Sequence, residues 1–214
     1  MAQDQRSITS LFDRWARSYD CDLRQAPDGP LTGYRASLCQ AAAVLPAGPE
    51  VKVLDIGIGT GALAALLIAT GAELWGTDPS PAMLEQCRER LPEVPLRQGT
   101  FTQLPYAEQA FDLVVTSFAY HHVVMRRRRA ALREMARVLR PGGTLGLLDI
   151  MFASQAALAA ARKDLAANWD DDETYPLIGQ LDEGLRASGF ASVRWLQTGS
   201  LHWLAIPSKT GPEP

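Results

Sequence analysis

Residues 53–61 read Val53-Leu54-Asp55-Ile56-Gly57-Ile58-Gly59-Thr60-Gly61, an apolar strand running straight into a turn with glycine at every second position. Glycine tolerates positive φ and lets a ligand lie directly on the backbone, so this turn is built for close approach. Ala62–Thr70 has helical composition and stops at Gly71, as a helix with a C-terminal glycine does. Downstream the same alternation repeats. Glu73–Thr77 is a second short strand, and Ser80–Leu91 is a helix with Pro81 in its first turn and Pro92 beyond its end. Val94–Gln98 and Phe111–Thr116 read as the third and fourth strands. Arg126–Leu139 is a helix with Ala130, Leu132, Met135 and Val138 inward; the turn Arg140-Pro141-Gly142-Gly143 ends it, and Thr144–Ile150 is the fifth strand. Strands alternating with helices of about a dozen residues form βαβ units, hence a parallel sheet with helices on both faces.

The flanks differ. Residues 8–44 look helical throughout and residues 154–168 form an alanine-rich helix. Asp170–Glu173 then breaks the pattern, and Leu177–Ser188 is an amphipathic helix ending at Gly189. Ala191–Gln197 and Leu201–Ile206 favour strands and are close enough to pair as a terminal antiparallel hairpin. The ends, 1–7 and 208–214, are expected to fray.

Composition narrows the function classes. The chain has 214 residues, of which 47% are hydrophobic and 21% charged, with a formal net charge of −3. That supports a packed core and excludes wholesale disorder. It also lacks the basic excess of a nucleic-acid binder. Cys21, Cys39 and Cys87 are scattered and form no CxxC, so neither a disulfide framework nor a zinc ribbon is indicated. The N-terminus has no apolar signal segment, and no run reaches the ~18–20 residues of a membrane span. These features predict a cytoplasmic protein.

Asp78 lies seventeen residues beyond Gly61, at the carboxyl end of the second strand. A carboxylate there can accept both hydroxyls of a ribose. Gly57-Ile58-Gly59-Thr60-Gly61-Ala62 also satisfies the loose dinucleotide pattern, so an NAD(P)-dependent oxidoreductase is one reading. Against it, Asp55 beside the turn would repel a pyrophosphate and instead suits a ligand bearing an ammonium or sulfonium. No second domain that would supply a nicotinamide substrate site is expected from these residues.

Four segments in order, VLDIGIGTG (53–61), GTDPSPAML (76–84), FDLVVTSFAYHHV (111–123) and REMARVLRPGG (133–143), resemble the class I S-adenosylmethionine-dependent methyltransferases. They are closest to the small-molecule group around ubiquinone and menaquinone biosynthesis, and the resemblance covers residues 10–206. It implies a doubly wound, Rossmann-like, mainly parallel seven-stranded sheet with an antiparallel C-terminal hairpin. It implies S-adenosylmethionine as cofactor, leaving S-adenosylhomocysteine, and a small-molecule acceptor nucleophilic at O, N, S or C. On that resemblance Asp55, Gly57, Ile58 and Gly59 line the methionine end of the cofactor, Asp78 holds the ribose and Pro79 the adenine edge. Met83 matches an apolar position of the second helix. Thr100 stands where the family usually has an aspartate for the adenine amino group, a weaker acceptor, and Phe101 can pack on the ring. Ser117, Phe118 and Ala119 border the methionine portion.

Three further residues are candidates for catalysis. His121 and His122 follow the fourth strand, where an imidazole can take a proton from the acceptor; packing is the alternative. Tyr19, in FDRWARSYD, is similarly either near the sulfonium or part of helix packing. Arg126–Arg129 and Asp170–Glu173 read as solvated surface, the latter without an EF-hand pattern, and no metal ligands are expected. No [DNS]PP[YFW] follows the fourth strand and no Pro-Cys occurs, which disfavours DNA methylation, and paired carboxylates for metal-dependent catechol methylation are not evident. The chain is read as one methyltransferase domain over 1–214. It divides into an N-terminal helical cap (8–45), a cofactor-binding core (51–150), a substrate-capping insertion (151–176) and a C-terminal helix and hairpin (177–206). Trp15, Tyr19, His121, Phe152, Trp169, Tyr175 and Trp203 are expected to wall the acceptor pocket. A catalytically silent S-adenosylmethionine-binding protein remains the alternative of another class. A monomer or homodimer without nucleic-acid partners or membrane span is expected.

Overall fold

The apolar segment before the glycine turn forms the strand β1 (Lys52–Ile56), buried along all but its first residue. The structure is a computed structural model that describes residues 5–25 and 28–210. Around β1 the sheet grows by parallel crossovers: α4 (Ala62–Ile68) leads to β2 (Glu73–Asp78), and α5 (Pro81–Arg90) leads to β3 (Leu96–Gln98). The chain then crosses to the other side of β1 for β4 (Phe111–Ser117), followed by α6 (Met125–Val138) and β5 (Leu139–Ile150). After α7 (Gln155–Asp164) and α8 (Ile178–Arg186), β6 (Phe190–Gln197) and β7 (His202–Lys209) close the sheet. Strand order is β3-β2-β1-β4-β5-β7-β6, with β7 antiparallel to both β5 and β6. This is the doubly wound sheet with a terminal antiparallel hairpin that the sequence implies.

Two apolar layers sandwich the sheet. On one face Leu38 and Ala41 of α3 (Tyr34–Val44), Leu63 and Leu67 of α4, and Leu84 and Cys87 of α5 pack together. On the other, Leu132 and Met135 of α6 meet Leu181 and Leu185 of α8. The inward residue at the start of α6 is Ala131, and Ala130 faces solvent, contrary to the pattern read from sequence. Starting the helix one residue earlier does not change its register; the apolar stripe simply includes Ala131 and Ala136.

Three other expectations are revised. Residues 8–44 are not one helical run but α1 (Gln5–Trp15), α2 (Tyr19–Gln25) and α3, separated by turns. Arg140–Gly143 does not stand outside the sheet: Leu139 pairs with Phe111 and Thr144 with Leu113, so the four residues form a bulge inside β5, with Gly142 at φ +75. Of the ends expected to fray, residues 5–7 lie in α1 and 208–209 in β7, while 1–4 and 211–214 lie outside the described residues. No described helix is long and apolar enough to cross a membrane.

Candidate functional site

Strand order reverses between β1 and β4, and open α/β sheets bind ligands at the carboxyl ends of such a switch point. Here the glycine turn leaves β1 and Ser117-Phe118-Ala119 leaves β4, with a cleft of about 690 Å³ between them, partly open to solvent. Gly57, Gly59 and Gly61 all have positive φ. At Gly57 the glycine is obligatory, because a Cβ would lie 2.7 Å from that of Ala119. At Gly59 a Cβ would meet nothing within 4 Å, so this part of the backbone lies open. Phe118 adopts φ +50, a left-handed conformation costly for an aromatic residue and held by its N–H donating to Leu148 O at 2.9 Å.

Asp78 ties the site to the glycine turn. Its Oδ2 accepts from Gly59 N at 3.0 Å and its Oδ1 from Ser80 N at 2.8 Å. Burial pushes this carboxyl up to about 6, against the pull of those two backbone donors, with Asp13 adding to the rise. Asp55 is buried beneath the turn, and its Oδ1 has no hydrogen-bond partner among the described residues. Burial, and then the charge of Asp78, holds the Asp55 carboxyl well above the usual range. A buried acceptor left unpartnered is costly unless a ligand supplies the donor.

Of the residues expected at the cofactor, Gly57, Ile58, Gly59, Asp78, Pro79, Met83, Phe101, Ser117 and Phe118 all line this cleft. Asp55 lies behind the wall, and so does Thr100, whose backbone bridges to Gln103 in its own tight turn. The N-terminal helices cover the opening with Ile8, Phe12 and Tyr19, and α3 adds Tyr34. They are pinned by Thr60 Oγ1 donating to Asp20 at 2.8 Å and by Ser80 Oγ donating to Asp13 at 2.5 Å. Nothing in the sequence marks Asp13 and Asp20 as fasteners.

A second cavity, wider and open to solvent, adjoins the first and shares Phe12, Tyr19, Phe118 and His122 with it. Trp15, Tyr19, His121 and Tyr175 wall it. Phe152 and Trp169 instead pack edge-on behind Tyr175, with ring centroids 5.8 and 5.1 Å from it. Trp203 packs on the opposite core layer. The Tyr19 hydroxyl is held protonated, its pKa raised well above the ordinary value by burial and by Tyr34 and nearby carboxylates.

His121 and His122 sit on a short 3-10 turn (Tyr120–His122) directly after β4, rings 4.0 Å apart. Asp149, fully buried at the end of β5, accepts from His121 N at 2.9 Å and bonds His121 Nδ1 at 2.5 Å. Burial pulls the His121 imidazole down, but Asp149 and Glu173 outweigh it and the net shift is up. His122 goes down, through burial and the neighbouring His121. The two rings therefore titrate apart. Glu173 approaches both, 3.4 Å from His121 Nε2 and 3.3 Å from His122 Nδ1, and these imidazoles with Arg128 outweigh burial and lower its carboxyl to about 2. Glu173 is thus part of the site, not of a solvated loop. Arg128 also leaves the solvated set: its guanidinium donates to the carbonyls of His121 (3.1 Å), Val123 (3.0 Å) and Thr174, while Arg126, Arg127 and Arg129 stay exposed. The one local clue was Asp149 itself, a carboxylate closing an apolar strand.

A methyltransferase-domain family model matches residues 54–147. A methyltransferase of Anoxybacillus flavithermus with no assigned substrate is 30% identical over 93% of this chain and 96% of its own length. A demethylmenaquinone methyltransferase of a Mycobacterium species is 33% identical, covering 88% of this chain and 87% of its own. Among solved structures, an S-adenosylmethionine-dependent methyltransferase of Thermotoga maritima superposes with a TM-score of 0.70 at 22% identity, over 94% of this chain and 99% of that one.

Proposed function

The chain belongs to the S-adenosylmethionine-dependent methyltransferases, and from that premise we propose that it methylates a small-molecule nucleophile bound in the aromatic cavity. The observation that carries the reading is the joining of two cavities at Phe12, Tyr19, Phe118 and His122. One has the glycine turn and Asp78; the other has aromatic walls and a histidine pair. S-adenosylmethionine, when bound, supplies an electrophilic methyl group on a sulfonium.

The chain's own residues do the rest. Gly57, Ile58 and Gly59 offer backbone against the cofactor, Asp78 accepts the ribose hydroxyls, and Pro79, Met83 and Phe101 enclose the adenine. Ser117 and Phe118 border the methionine portion, and the spare Asp55 oxygen suits its ammonium. Thr100 bridges to Gln103 in its own turn and does not line the cleft, so in this proposal Phe101 and Pro79 carry the adenine edge. Tyr19 offers a neutral hydroxyl and an electron-rich ring near the junction. His121, positioned by Asp149, with His122 beside it, takes the proton from an acceptor that arrives protonated. Alignment and exclusion of water by the N-terminal helices supply most of the acceleration; such positioning is worth on the order of 7–11 kcal/mol.

In this reading residues 51–150 hold the cofactor, while 8–45 and 151–176 select the acceptor. The aromatic walls favour a flat acceptor, a class that includes the ring system named for the mycobacterial relative. The protein acts in the cytoplasm, as a monomer or homodimer, without nucleic acid. Calorimetric titration with S-adenosylhomocysteine, S-adenosylmethionine and NAD tests the cofactor; tight NAD binding without response to S-adenosylhomocysteine refutes it. Release of S-adenosylhomocysteine across quinols, phenols, amines and thiols tests the acceptor. A protein that binds S-adenosylhomocysteine but turns over none of them is a binding protein instead.

A further inference from the structure

We propose that His121, His122 and Glu173 form a site for one divalent transition-metal ion that holds the acceptor by a hydroxyl oxygen. The inference rests on the reading of the aromatic cavity as the acceptor pocket. Each of the three residues offers one ligand atom, and these atoms lie within 4.8 Å of one another. Glu173 Oε2 stands 3.4 Å from His121 Nε2 and 3.3 Å from His122 Nδ1. Two ligands bound at about 2.0–2.1 Å to one ion, at angles between octahedral and tetrahedral, stand about 2.8–3.4 Å apart. Both spacings to Glu173 fall within that range and are long for a charge-assisted N–H···O bond, about 2.7–2.9 Å, so one ion fits between the carboxylate and each imidazole.

The surroundings are those of a metal ligand set. Two imidazoles and one carboxylate leave open positions on a first-row ion such as zinc or manganese. All three residues line the aromatic cavity, so an open position can face an acceptor. Asp149 engages His121 Nδ1 at 2.5 Å and is itself fixed by Ile150 N at 2.8 Å. That outer carboxylate leaves the Nε2 lone pair for the ion and orients the ring. Arg128 bonds the carbonyls of both His121 and Thr174, clamping the segment that carries the histidines to the one that carries Glu173. Asp170 adds a further carboxylate to the cavity wall.

The chemistry selects an acceptor with an ionisable hydroxyl, a phenol or a quinol. Coordination lowers its pKa, and the proton leaves to water through the open cavity. The oxygen pair then forms the bond to the methyl carbon while the carbon–sulfur bond breaks, its electron pair remaining on sulfur. His121 has no proton to collect in this form, because its free nitrogen is a ligand.

Cobalt(II) titration of the chelator-treated full chain, read by d–d absorption and repeated with zinc by calorimetry, tests the site. We expect one equivalent bound by the wild type, at least 100-fold weaker binding in Glu173→Gln, and 10–100-fold weaker binding in Asp149→Asn. S-adenosylhomocysteine affinity should stay within twofold in Glu173→Gln, which confirms an intact fold. Substoichiometric uptake by the wild type, or equal cobalt affinity in Glu173→Gln, overturns the proposal. If the wild type binds S-adenosylhomocysteine but no ion, the metal site falls and methyl transfer stands, with His121 as the plain base. If S-adenosylhomocysteine does not bind either, both readings fall.

Discussion

Asp78 gives opposite pH dependences to stability and to cofactor binding, and Asp78→Asn should abolish both. Burial carries this carboxyl from an ordinary 3.8 to about 6 in the folded chain. Each pH unit is about 1.4 kcal/mol, so the folded state resists ionisation by about 3 kcal/mol relative to the unfolded chain. As pH rises through 4 to 6 the unfolded chain loses its proton first. The ligand-free protein therefore has this stability in full below about pH 4 and loses it as pH rises through 6. Asparagine stays neutral but offers one acceptor where two backbone N–H groups need one, a cost of about 1 kcal/mol. By pH 4.5 the wild type has already lost about 1 kcal/mol, so the variant should match it there and exceed it by about 2 kcal/mol at pH 7.5. For a chain of this size that swing is about 4–8 °C in Tm. Asp55 is raised by burial and also by the charge of Asp78, so the variant relieves Asp55 in the same direction and the difference between the two proteins reports the coupled pair. Ribose hydroxyls bond the ionised form, so S-adenosylhomocysteine affinity in the wild type should fall about tenfold per pH unit below 6, and not in the variant. Denaturation scans and calorimetry between pH 4.5 and 7.5 measure both quantities. A stability gap independent of pH, or tighter binding on acidification, would refute the reasoning.

The glycines separate folding from binding. Gly146→Ala would set a Cβ 2.5 Å from Leu45 Cδ2 and should cost about 1–3 kcal/mol in chemical denaturation while S-adenosylhomocysteine affinity stays within twofold. Gly59→Ala meets no atom, so the left-handed backbone alone should cost about 1–2 kcal/mol, whereas cofactor affinity should drop at least tenfold. Arg128→Ala unclamps the segments bearing His121 and Glu173; we expect a raised acceptor KM with unchanged S-adenosylhomocysteine affinity, and an unaltered KM would remove its positioning role. In metal-free protein, Asp149→Asn leaves burial to dominate His121, so the acid limb of the turnover profile should move to lower pH. A limb that stays in place would assign that titration to another group.

How much of this was legible in the residue order depends on the range of the forces involved. Helix α5 was readable nearly to the residue, as Ser80–Leu91 against Pro81–Arg90 in the fold, because Pro81 and Pro92 act within one turn of chain. The glycine turn with Asp78 was equally readable, since the strand–turn–helix path brings Gly59 N to the carboxylate in any crossover of this kind. The bulge at 140–143 was not, because Pro-Gly-Gly is a local stop signal and only the pairing of Leu139 with Phe111 makes it part of a strand. Thr100 shared its sequence position with an adenine ligand yet bonds its own turn, and Trp203 shared an aromatic character with the cavity walls yet faces the opposite layer. Most of all, Glu173 looked like one more solvated acid in a run of four. Local composition governs whether a segment can be a loop, but the loop's path is set by contacts such as Arg128 on Thr174, made across the fold. The sequence by itself therefore determined the strands, most of the helices and the glycine turn, whose causes are local. Only the tertiary structure could bring Asp149, the two histidines and Glu173 together, because their proximity is a property of packing between distant segments.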